Sequence, residues 1–409
     1  MIRSGIRWLW AGQMVFFLSA WSLHAANPAG VNQVYEIPFE YKNHFILIKL
    51  TFQNVLPLTF IFDTGAETTL LTSLEIANLL DLTYEREIQI VGADLEAELS
   101  AFLVRNIHIQ LGDVALPYQS ILVLEEDVFH FNEYTGTQVH GILGSSTFRQ
   151  FIVEIDYEDR LIRLYRPSDF RAPRNSERLD LEIHRSKPYL STTVKPANGD
   201  EVTIKLLVDS GASLAMVIHP ETNPNLSIPE KVVPGNIGMG LGGNLQGVLG
   251  IMPTIHLGKT QLHDVPVHFQ EIRSMVDSVF LNNRNGILGN KVLERYTATF
   301  DYYRGVLYLQ PNRLYKKEFP IDKSGMLVIA SGPELKTFMV HAVLKESPAA
   351  KAGVRPGDII VSINYSSFRF FDLDAIYRVL SRPEGKLIRL KLDRKGLKFR
   401  TEFRLEKLL

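Results

Sequence analysis

The 409-residue chain has no cysteine, which excludes disulfides, a thiol nucleophile and any cysteine-held metal. Metal chemistry finds little other support. The 11 histidines are scattered, with no His-Glu-x-x-His and no ligand-like cluster, so neither a metal nor a cofactor is expected. No Gly-x-Ser-x-Gly elbow is present either, since Ser145-Ser146 and Ser213 lack that context. Neither sign of charge dominates: 44 Lys and Arg stand against 45 Asp and Glu, a net charge of −1. Such a balance creates no field that would gather nucleic acid or acidic membranes, and leaves polypeptides as the expected partners. Past the N-terminus no apolar run approaches the roughly 20 residues that a membrane-spanning helix needs.

At the N-terminus Arg3 and Arg7 precede an apolar stretch from Trp8 to about Leu23 that ends at Ala25-Ala26, the order of a secretory signal. Residues 1–26 are therefore read as a signal peptide, and the chain as exported to the periplasm or beyond. Left uncleaved, the same stretch would anchor it.

Against these absences stands a repetition. Asp63-Thr64-Gly65-Ala66 and Asp209-Ser210-Gly211-Ala212 each follow a short apolar run, Phe60-Ile61-Phe62 and Leu206-Leu207-Val208. One Asp-x-Gly is only a common turn. Here the offset recurs along the chain, at Leu111-Gly112 and Leu257-Gly258, at Gly141-Ile142-Leu143-Gly144 and Gly286-Ile287-Leu288-Gly289, and at Asp156 and Asp301. A constant offset of 145 or 146 residues means a duplicated unit. Alternating and β-branched runs such as Phe45 to Leu50 and Val202 to Lys205 read as strands. A short helix is expected from Ser73, its N-cap, to Leu80, and a linker over Arg166 to Asp180, where prolines and charges replace the alternation.

The paired motifs, each followed by an apolar-apolar-Gly segment, resemble the retropepsin-like bacterial aspartyl proteases. The resemblance implies a mainly β fold of two tandem acid-protease β-barrel lobes, placed at 27–170 and 171–315. It makes Asp63 and Asp209 the catalytic pair. Two carboxyls within about 3 Å cannot both ionise easily, so one proton is shared and the two exchange acid and base roles over a water. Gly65 and Gly211 permit the close approach, and by resemblance Thr64 and Ser210 lock the two loops through their hydroxyls. Alanine follows each motif, where acid-adapted relatives carry a hydroxyl donor. Fewer donors raise the pKa, which predicts activity at mildly acidic to near-neutral pH. One chain holds both aspartates, so a monomer should suffice.

The glycine-rich run 235–243 of the second lobe, with Gly238, Gly240, Gly242 and Gly243, is the candidate flap. Its counterpart near Val91-Gly92-Ala93-Asp94 is poor in glycine, which argues against a symmetric pair of flaps. The run also fits G-x-G-x-x-G, but no βαβ unit surrounds it and a dinucleotide site is rejected.

From 320 to 409 the chain resembles a PDZ domain, an α+β fold, on the strength of Ser347-Pro348-Ala349-Ala350-Lys351-Ala352-Gly353-Val354-Arg355-Pro356-Gly357-Asp358-Ile359-Ile360. Such domains add a peptide or C-terminus to a sheet edge. Asp374 to Leu380 is the expected groove helix. No clear Gly-Leu-Gly-Phe-like carboxylate loop is present, the nearest stretches being Gly325-Met326-Leu327-Val328 and Gly332-Pro333-Glu334-Leu335. The sequence is read as an aspartic endopeptidase whose PDZ domain recruits substrate or regulates access. The alternative is a catalytically silent, peptide-binding scaffold.

Overall fold

In the computed structural model the described backbone covers residues 34–91, 98–125, 127–197, 199–240, 243–271, 281, 283–367 and 370–409, with the side chains of 91, 98, 234–240 and 243–246 left aside. The expected signal, residues 1–26, lies outside them. Strands dominate, and among the described residues no helix is long and apolar enough to cross a membrane.

Each half of the duplicated region runs through the same order of elements. In the first, Phe45–Phe52 and Leu56–Asp63 form an antiparallel pair, and Leu56–Asp63 then pairs in parallel with Gly141–Gly144. In the second, Lys187–Lys195, Val202–Val208 and Gly286–Leu288 repeat the pattern. The strand ending at Asp63 is apolar on both faces because it is covered on both: Phe60, Ile61 and Phe62 are all buried. Outer strands alternate instead, with Ile37 and Phe39 inward and Pro38 and Glu40 outward. Ser73 caps the helix Leu74–Leu79 by accepting a bond from Ile76 N at 3.2 Å.

The lobes are not simply tandem. A six-stranded antiparallel sheet joins them in the order Val34–Lys42, Leu161–Tyr165, Ile152–Asp156, Tyr296–Asp301, Val306–Pro311, Glu177–His184. At its centre Glu154 pairs with Thr299, its own equivalent in the duplication, so the pseudo-two-fold axis passes between them. The linker expected up to Asp180 therefore ends sooner: Glu177 to Asp180 pair with Val306 to Leu309, and their charged side chains sit on an edge strand where solvent accepts them.

Both lobes carry a long hairpin. In the second, Val233–Gly240 pairs with Gly243–Leu257, bringing Gly240 opposite Gly243, while Gly242 lies outside the described residues. In the first, Arg86–Val91 pairs with Glu98–Leu111, closing at Val91 and Glu98. This corrects the expectation of an asymmetric arrangement. Cross-strand pairing builds the arms, and a connection of six residues needs no glycine-dense tip to turn.

The PDZ region has its own core and a sheet ordered Met326–Ser331, Thr337–Val343, Ile359–Ile363, Leu387–Arg394, Leu397–Arg404. Its helices are Pro348–Lys351, after which Gly353 adopts φ +78°, and Leu373–Leu380, capped by Asp372. It docks on the first lobe. Asn43 N donates to Asp374 Oδ1 at 2.8 Å, Lys42 Nζ lies 3.6 Å from Asp372 Oδ2, and Tyr134 packs on Ile329 and Met339.

Candidate active site

The two strand ends deliver their aspartates to one point. Thr64 N donates to Ser210 Oγ at 3.0 Å, and Ser210 N donates to Thr64 Oγ1 at 2.9 Å. Each hydroxyl then donates across to the opposite strand, Thr64 Oγ1 to Val208 O at 2.9 Å and Ser210 Oγ to Phe62 O at 2.8 Å. All four bonds are buried and self-complementary about the same pseudo-axis. Four satisfied bonds at a buried junction fix position, because breaking one leaves a desolvated group behind.

Asp63 and Asp209 are buried and hydrogen-bonded to one another. Asp63 Oδ1 accepts from Gly65 N at 2.7 Å and Ala66 N at 2.9 Å, and Asp209 Oδ1 accepts from Gly211 N at 2.7 Å. Burial lifts the pKa of both carboxyls. The charge of Asp209 and the bond between the two push Asp63 further up, whereas that bond, backbone donors and the charge of Arg284 restrain Asp209. The pair thus titrates as a unit and shares one proton between two carboxyls whose pKa values are both raised.

Glycine at 65 and 211 is dictated by this approach. A Cβ on Gly65 would lie 2.6 Å from Asp209 Oδ2, and one on Gly211 would lie 2.8 Å from Asp63 Oδ1. Neither glycine has positive φ, so space rather than backbone conformation is what excludes a side chain.

A supporting layer was not singled out in the sequence. Asn290, just past Gly286-Ile287-Leu288-Gly289, donates from Nδ2 to Ser210 O at 2.5 Å and to His44 O at 2.9 Å, and accepts from Tyr157 OH at 2.6 Å. Beside it Glu294 accepts from Tyr41 OH at 2.7 Å and lies 3.0 Å from His44 Nδ1. Burial pushes Glu294 up, but His44 and the two hydrogen bonds outweigh it and hold the carboxyl below its ordinary value. His44 follows Asn43, the residue bonded to Asp374, so a continuous path of contacts links the PDZ groove helix to the residue next to Asp209. Only the offset between Asn290 and Ser145, which donates to Ala66 O at 2.8 Å, could have pointed to this position.

A family model described as aspartyl protease matches residues 48–147 and again 193–292, and a PDZ domain model matches 339–394. The chain carries an aspartyl-protease region twice and a PDZ domain once. It is also similar to the carboxy-terminal processing protease CtpB of Bacillus subtilis (strain 168), 33% identical over 76 residues. That stretch is 19% of this chain and 16% of the relative, so the chain spans about a sixth of that protein's length.

In the PDZ domain the two stretches nearest to a carboxylate loop are not equivalent. Gly332 to Leu335 is the turn between Met326–Ser331 and Thr337–Val343. Gly325 opens the edge strand, but its N–H donates to Asp322 Oδ2 at 2.6 Å, and Ser324 N and Oγ also donate to that carboxylate. Farther along, Tyr377 OH donates to Val328 O at 2.8 Å and accepts from Val328 N at 3.2 Å. At the start of this strand Gly325 N, Met326 N and both backbone groups of Val328 are therefore already paired within the domain.

Proposed function

We propose that the chain is an aspartic endopeptidase that hydrolyses extended polypeptide with the Asp63/Asp209 pair. One observation carries this reading: two buried carboxyls from equivalent strand ends share a hydrogen bond, and each is backed by a glycine with no room for a side chain. Asp209 takes a proton from water, whose oxygen attacks the peptide carbonyl carbon, while Asp63 gives its proton to the carbonyl oxygen. The roles then reverse as the amide nitrogen is protonated and the C–N bond breaks. In this reading the N-terminal signal exports the chain, and a single copy suffices because it carries both acids.

The test is hydrolysis of an unfolded-protein digest by the full chain across pH, read by mass spectrometry. Internal cleavage is expected, with a bell-shaped profile peaking between about pH 4 and 7. The direction follows from the donors: the backbone N–H groups of Gly65 and Ala66 only partly offset the upward push of burial on Asp63, and no hydroxyl donor adds to them. No cleavage at any pH would overturn the reading, and a maximum below about pH 3 would overturn this account of the pair.

The PDZ domain regulates access in this proposal through its seat on the first lobe. Asp374→Ala removes the acceptor of Asn43 N and should cost about 1–2 kcal/mol at that contact. The expected result is faster hydrogen exchange at residues 43–44 and in Leu373–Leu380, with the six-stranded sheet unchanged. Unaltered protection at both places would show that the contact does not hold the domain.

A further inference from the structure

The two halves of the cleft differ in charge at equivalent positions. In the second lobe Tyr189, Leu207 and Ile287 lie side by side on three neighbouring strands. Leu207 is two residues before Asp209, so this row shares its face of the sheet. Lys187 is two residues before Tyr189 on that same face. Arg284, three residues before Ile287, hydrogen-bonds Tyr189. The duplication places Phe45, Leu47 and Val139 at the matching points of the first lobe, since Leu47 pairs with Ile61 and Ile61 with Ile142. Those three are apolar and buried against Phe129 and Phe131.

Arg284 is 8% exposed, its Nε has no hydrogen-bond partner, and no acidic side chain of the described residues forms an ion pair with it. A guanidinium cannot shed its charge as lysine can. Tyr189 and the more distant charge of Asp209 compensate it only in part, and a buried cation without a paired anion is costly, so a fold retains it more cheaply where a further anion arrives to meet it. Its charge acts on Asp209 and on Lys187, and Asp209 acts on Lys187 in turn, so the three lie within electrostatic reach of one another beside the row of Tyr189, Leu207 and Ile287. Lys187 also feels Glu67, an exposed residue just past the first motif, so it borders the junction of the lobes.

We propose that Arg284 and Lys187 form a subsite for a carboxylate of the bound polypeptide, so that the second lobe selects an acidic group on one side of the cleaved bond. The anion is the side chain of an aspartate or glutamate, or the free end of a substrate chain. Planar, bidentate recognition suits the guanidinium, with the ammonium adding charge at the rim. This inference rests on the proteolytic reading above for the bond it flanks, but not for the binding itself.

The experiment uses neutral decapeptides in which one glutamate is walked through every position, each with a glutamine twin, and each made with a free or an amidated C-terminus. Cleavage is measured with the wild-type chain and binding with Asp63→Asn, which keeps both cations. At one position glutamate should exceed glutamine by about tenfold in kcat/KM and in affinity. If the chain end is the natural source, the same gap separates free from amidated peptides. Arg284→Met and Lys187→Met should each narrow it. Arg284 is buried and its replacement could unfold the lobe, so Lys187→Met, at a half-buried position, decides the matter if that happens. A gap that persists unchanged in the folded variants, or no gap at any position, overturns the subsite. Preferential binding by Asp63→Asn with no hydrolysis by the wild type would instead sink the proteolytic reading and leave the subsite standing.

Discussion

Asparagine in place of Asp63 or Asp209 is expected to lower peptide hydrolysis by about 10³-fold or more while leaving the fold at least as stable as before. The two outcomes have one cause. Burial is the largest influence on both carboxyls and disfavours their charged forms, so ionising the pair burdens the folded state. An acid whose pKa is raised on folding contributes its full stability below the unfolded value, 3.8 for Asp63, and loses it as the pH rises through the folded value. The pair should therefore contribute a destabilising share to the wild-type melting temperature as the pH climbs from about 4, read as the difference between the wild-type and Asp63→Asn curves. Asparagine retains a side-chain oxygen to accept from Gly65 and Ala66, so the loop keeps its shape. Thermal melts and peptide assays on both variants across pH check this. Activity surviving in either variant would remove the pair from the chemistry.

What was legible in the chain was whatever repeats or terminates locally. The duplicated motifs, the apolar runs that carry them, the Ser73 cap and the PDZ signature are written within a few residues each, and the elements stand where those signals place them. Partners were not legible. The matching runs around Asp156 and Asp301 identify equivalent strands, but nothing in a period of two says that they pair with each other across the axis at Glu154 and Thr299. The hairpin of the first lobe was hidden for the opposite reason, since glycine content was weighed at its tip although its arms pair through alternating residues such as Ile88 and Ala101. Arg284 gave no signal at all. It sits in the polar run Asn282-Asn283-Arg284-Asn285, which reads as surface loop, and only the packing of Tyr189 beside it makes it a buried cation. Tyr377 satisfies Val328 of the PDZ edge strand by tertiary contact, again beyond what spacing can convey.

Gly211→Ala should be nearly as damaging to activity as loss of a carboxyl, and for a steric reason. The added Cβ would meet the carboxyl of Asp63, with Oδ1 at 2.8 Å, and neither side can retreat. The reciprocal bonds of Thr64 and Ser210 hold the loops together, and the sheet centred on Glu154 and Thr299 holds the lobes. The carboxyl must move instead. A displacement near 1 Å at a reacting group costs about 10²-fold in rate, and overpacking of this kind costs about 1–3 kcal/mol in stability. Gly65→Ala should behave alike against Asp209, where the corresponding distance is 2.6 Å. Gly199→Ala is the control: nothing lies within 4 Å of its Cβ, and its stability should stay within about 0.5 kcal/mol of the wild type. Because the clash is with one identified group, the stability cost of Gly211→Ala should shrink when it is introduced into Asp63→Ala, whose side chain no longer reaches it. If the cost is the same in both backgrounds, the glycine is required for some reason other than the opposing acid, and the steric account of the paired loops fails.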